Sequence, residues 1–114
     1  MIAPRRWPIL LLLLPLASPA DPGALDAADR EALALGRKVL AVQTALADPE
    51  APDALAAISA LGLDSRHYTM VRGWLMQQLL GDLSIAEANP QAIPPKIERR
   101  IEFLQRAIRA IDLE

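Results

Sequence analysis

From about Leu25 onward, apolar residues recur every three or four positions, and no stretch alternates apolar and polar as a half-buried strand would. Between about residues 25 and 47 the stripe is Ala28, Ala32, Leu35, Val39, Val42 and Leu46, widened by Leu33 and Leu40. Asp26 and Asp29 stand where a helix dipole favours negative charge. A second, short helix is expected over about 50–61. Asp48-Pro49 or Pro52-Asp53 would start it, Leu55, Ile58 and Leu61 or Leu63 would face inward, and Gly62 would close it in the left-handed conformation. This Ala-rich helix is expected to bury little. A third helix spans about 65–88, capped by Asp64-Ser65 and stopped by Asn89-Pro90, with Gly81-Asp82 as a possible kink or end. The last, about 95–113, opens on Pro95 and has the cleanest seam: Ile97, Ile101, Leu104, Ile108 and Ile111. Four helices with short connections predict an all-α fold, a small antiparallel bundle.

The third helix carries two neighbouring stripes. Tyr68, Val71, Leu75, Leu79 and Leu83 form a core seam. Beside them run His67, Met70, Trp74, Gln78 and Gly81 at the same spacing. This is too wide an apolar surface for one helical neighbour. Either the helix lies centrally in the bundle, or the second seam meets something outside the chain. Trp beside Met, His and Gln has the mixed character of a protein contact surface. The plainer alternative puts Trp74 beneath the Ala-rich helix, with His67 and Gln78 at the solvent edge. Arg72 interrupts the first seam. It either anchors an acidic group of a partner, or covers apolar surface with its methylenes while its guanidinium reaches water or an internal carboxylate such as Asp82 or Glu87.

The first twenty residues have a different pattern. Arg5-Arg6 precede an apolar run from Ile9 to Leu16, and Ser18-Pro19-Ala20 supplies the small residues of a cleavage site. This order predicts a cleavable secretory signal over 1–20, cut after Ala20, on the general secretory route. The run is far short of the ~20 residues that span a bilayer, so no stable membrane anchor is expected after cleavage. The heavy use of Ala, Leu and Arg points to a bacterial source, and to a periplasmic or secreted destination. Residues 21–114 would then form a single helical domain.

The chain contains no Cys. That removes a lipoprotein anchor, disulfides, thiolate metal sites and thiol catalysis. Loss of residues 1–20 takes Arg5 and Arg6 away and leaves 14 acidic residues against ten basic ones, a formal charge of −4. Such a chain offers no electrostatic footprint for nucleic acid.

Catalytic chemistry finds little to use. His67 is the single imidazole, and Ser65, two residues away, would point elsewhere on a helix. No phosphate loop or spaced carboxylate pair is present, so no enzyme activity, catalytic residue or cofactor is expected. His67 and Met70 share a face but are too few to hold a metal unaided. The expectation is therefore a binding protein, an accessory of an envelope complex or a homo-oligomer, with His67, Met70, Arg72, Trp74 and Gln78 as contact candidates. The alternative is a carrier of a small ligand or metal on the His67/Met70/Trp74 face.

Overall fold

The computed structural model describes residues 26–114; the predicted signal and its cleavage point after Ala20 lie outside them. The described residues contain four helices and no strand: α1 (Ala27–Ala47), α2 (Ala54–Gly62), α3 (Tyr68–Ala88) and α4 (Pro95–Asp112). The chain divides into two units, 1–34 and 35–114. Of the first, the described part is the opening of α1, where the Asp26 carboxylate accepts the Asp29 N–H at 2.9 Å and caps the helix.

The core of the second unit gathers Val42 and Ala45 from α1, Ala54, Ile58 and Leu61 from α2, Val71, Leu75 and Leu79 from α3, and Phe103, Leu104, Ala107, Ile108 and Ile111 from α4. The short helix contributes more than its composition promised. Ile58 and Leu61 are among the largest fully buried side chains, each worth roughly 1.5–3 kcal/mol in apolar burial. Their helix starts after Pro52-Asp53 rather than at Asp48-Pro49. Residues 48–54 instead form successive turns, with the Ala51 N–H donating to the Asp48 carbonyl and that of Ala54 to the Ala51 carbonyl. Gly62 is not left-handed but the last residue of α2, buried against Ile111.

The start of α3 also differs from expectation, while its end at Ala88 lies where Asn89-Pro90 was expected to stop it. Asp64 does not cap the helix: its carboxylate accepts the backbone N–H and the guanidinium of Arg66, and α3 begins only at Tyr68. Gly81 does not end α3, which runs unbroken to Ala88. In α4 the expected isoleucine seam is present but rotated. Ile97 and Ile101 are half-buried, while Phe103 and Ala107 join Leu104, Ile108 and Ile111 in the interior. Leu113, at φ 60°, closes α4 in the left-handed conformation, letting the Glu114 N–H reach the Arg109 carbonyl at 3.0 Å.

α3 and α4, joined by a short connection, run antiparallel, and their charges match that direction. Each seam carries one cation and one anion. Arg72 near the start of α3 pairs with Asp112 at the end of α4, and Asp82 farther along α3 pairs with Arg100 near the start of α4. A parallel pairing would bring Arg72 toward Arg100 and Asp82 toward Asp112. Like charges at both ends of a partly buried seam oppose that arrangement.

Candidate functional site

α3 satisfies its charges inward. The Arg72 guanidinium grips both Asp112 oxygens, with Nε at 3.1 and 3.2 Å and Nη2 at 3.1 Å, and the Tyr68 hydroxyl donates to the same carboxylate. Hydrogen bonds from Arg72 and then Tyr68 hold the Asp112 carboxyl below its ordinary range. Donation to Asp112, with burial second, raises the Tyr68 phenol above its own, and the same carboxylate raises the Arg72 guanidinium. At the other end the Arg100 guanidinium donates to both oxygens of Asp82, each at 3.0 Å, and to the Gln78 side-chain oxygen at 2.9 Å. Asp82 is only 2% exposed.

The consequence lies on the opposite side of the helix. α3 has three charged residues along its length: Arg72, Asp82 and Glu87. The first two are committed to α4, so the outer face between His67 and Glu87 bears no charge. It presents Met70 at 38% exposure, Leu80 at 57% and Ile85 at 49%, with Gln77, Ser84 and the two glycines Gly73 and Gly81 between them. A Cβ built at either glycine meets nothing within 4 Å.

The expected contact residues divide accordingly. Met70 is on this open face. Trp74 is half-buried at its margin and packs partly on the core. His67 is half-buried just before α3, and Gln78 is exposed but its carbonyl is held by Arg100. Arg72 belongs to the α4 contact. Its partner is Asp112, not Asp82 or Glu87. Leu80 and Ile85, also on this face, were not among the expected contacts. Ile85 continues the Met70–Trp74–Gln78–Gly81 seam by one further step of four, a signal present in the sequence.

A separate half-open groove of about 690 Å³ lies between the 48–52 turns and α4. Leu55 and Phe103 contribute to its lining, and its charges are mixed: Lys96, Arg99, Arg100 and Arg106 against Asp48, Glu50 and Glu102. Arg99 is paired with Glu50, while Arg106 sits 5.7 Å over the Phe103 ring. His67, Met70 and Trp74 do not line it. Among the described residues, no group of three or more His, Asp or Glu is placed to hold a metal, and no helix is long and apolar enough to cross a membrane. No family model matches the chain, and no curated protein or solved structure shows significant similarity to it.

Proposed function

We propose that this protein is a small exported helical protein that acts by binding, with the outer face of α3 as its contact surface. It serves a cell-envelope complex as an accessory component or associates with itself. The observation that carries this reading is the uncharged outer face of a 21-residue helix whose own charges are turned inward. Monomeric surfaces normally intersperse charges with apolar residues. Export rests on the basic–apolar–small order of residues 1–20.

The test uses charge placed where the fold does not need neutrality. Met70→Lys with Ile85→Lys leaves every core contact intact and should not lower the melting temperature. Chemical cross-linking of the protein in its native envelope should give an adduct with the natural chain and lose it with the variant. An adduct that persists in the stably folded variant would remove this face from consideration.

The groove beside α4 supports a second reading, as a carrier of a small amphipathic ligand. Leu55 and Phe103 would meet its apolar part, and Lys96 and Arg106, balanced in the same lining by Asp48 and Glu102, its polar part. Lys96→Glu with Arg106→Glu should abolish a ligand-induced rise in melting temperature while leaving cross-linking through α3 unchanged.

A further inference from the structure

We infer that the occupant of the outer α3 face is a second copy of this chain, packed antiparallel about a two-fold axis through Gln77. The inference rests on the binding reading above and names its partner. The residues around Gln77 are arranged symmetrically: Gly73-Trp74-Leu75 before it is mirrored by Leu79-Leu80-Gly81 after it. At 3.6 residues per turn, Gly73 and Gly81 lie about 40° to opposite sides of Gln77, and Trp74 and Leu80 about 60° to opposite sides. A two-fold axis perpendicular to the paired helices keeps each lateral side and reverses direction along the helix. It therefore sets Trp74 of one copy beside Gly81 of the other, and Leu80 beside Gly73. Each large side chain meets a missing one, and Gln77 meets its own equivalent at the axis, where two amides can hydrogen-bond reciprocally.

Charge agrees with this orientation. The paired faces themselves are neutral, so two copies of an acidic chain can approach without repulsion across the contact. The antiparallel arrangement also places the Glu87 residues of the two copies at opposite ends of the contact. A parallel pair would set Glu87 against Glu87. The glycines need such a partner. In the single chain both face open space and only weaken the helix, whereas in the pair they are the holes that receive Trp74 and Leu80. A 21-residue helix is about 31 Å long, and two such faces in contact remove on the order of 1,000 Å² in total, the lower bound for a specific interface. The dimer should therefore dissociate on dilution.

Sedimentation equilibrium over a concentration series tests this, using the natural chain and the double variant Gly73→Gln/Gly81→Gln. Glutamine is a good helix former, and a Cβ at either position meets nothing within 4 Å. At high dilution the variant should melt no lower than the natural protein, while associating at least about tenfold more weakly. In a second variant, Gln77→Cys should form an intermolecular disulfide at the axis, in a chain that has no other thiol. A natural chain that stays monomeric throughout the series would overturn the inference. So would a dimer unaffected by the glutamines, or a Gln77→Cys variant that forms no disulfide between copies. If the natural chain is monomeric yet the Met70→Lys/Ile85→Lys variant still loses an envelope adduct, self-pairing falls and the binding face survives.

Discussion

Gly62 and Ile111 touch more closely than any side chain at position 62 would allow. A Cβ there would lie 2.6 Å from Ile111 Cγ2 and 3.2 Å from Val71 Cγ1. This is where α2, α3 and α4 converge, and the missing side chain is what lets α2 approach. Gly62→Ala gains helix propensity, up to about 1 kcal/mol. It must also displace Ile111, which is 3% exposed and has little room to move, at roughly 1–3 kcal/mol of overpacking. We expect a net loss of about 1–2 kcal/mol in denaturant unfolding. Trimming the neighbour as well, in Gly62→Ala/Ile111→Val, should recover part of the loss relative to the sum of the single changes.

The Asp82–Arg100 pair fixes how α3 and α4 align. Asp82→Ala leaves a guanidinium whose remaining protein partner is Gln78, and we expect a loss of about 2–3 kcal/mol. That lies at or below the low end for broken buried pairs, because the Arg100 side chain is 26% exposed and can recruit water. Asp82→Ala/Arg100→Ala should cost less than the two single changes added, by about 1 kcal/mol or more in a double-mutant cycle. Strict additivity would mean that the pair does not couple the helices.

The Tyr68–Asp112–Arg72 cluster makes stability depend on pH at both extremes. Asp112 titrates lower in the folded chain than its ordinary 3.8. Its contribution is therefore present above that value and is lost as pH falls through the folded one. Tyr68 titrates above 10.0, so its contribution is complete below 10.0 and is lost as pH rises through the higher folded value. Tyr68 is the single tyrosine of the chain, so near-ultraviolet tyrosinate absorbance reads it directly. The midpoint should lie above 10.0 in the natural protein and return toward 10.0 in Asp112→Asn. An unchanged midpoint in that variant would show that the carboxylate does not hold the phenol.

The helices were legible because burial on one side leaves a period of three to four, and α3 and α4 carry that period over about five turns. The ends were less so. Asp64-Ser65 has the composition of a cap, but Asp64 can satisfy the neighbouring Arg66 instead, and sequence alone does not rank those bonds. The start of α2 shifted because both Asp-Pro and Pro-Asp pairs can begin a helix. The ion pairs were half visible. Arg72 breaks an apolar seam, Asp82 follows Leu79 by three, and Asp112 follows Ile108 by four, so each stands where it needs a partner. Which partner it finds, 18 or 40 residues away, depends on the antiparallel register of α3 and α4. Local spacing does not contain that register. The neutral outer face of α3 became visible only once Arg72 and Asp82 were seen to turn inward.

Gly73 and Gly81 provide a prediction whose sign separates folding from association. Both are exposed, both lie within α3, and a Cβ at either would touch nothing. In the isolated chain, Gly73→Ala and Gly81→Ala should each raise stability by about 0.5–1 kcal/mol, since alanine restricts the unfolded backbone and favours helix. The two sites are about 12 Å apart along the helix, so the gains should nearly add. Thermal unfolding at high dilution measures this monomer effect. At high concentration the same variants partly fill the spaces that would receive Trp74 and Leu80, so association should weaken as the fold strengthens. Opposite signs in the two regimes would show that the glycines serve the contact. A gain in both would leave them without a role in pairing, and a loss at high dilution would mean that the outer face of α3 is not open in the single chain.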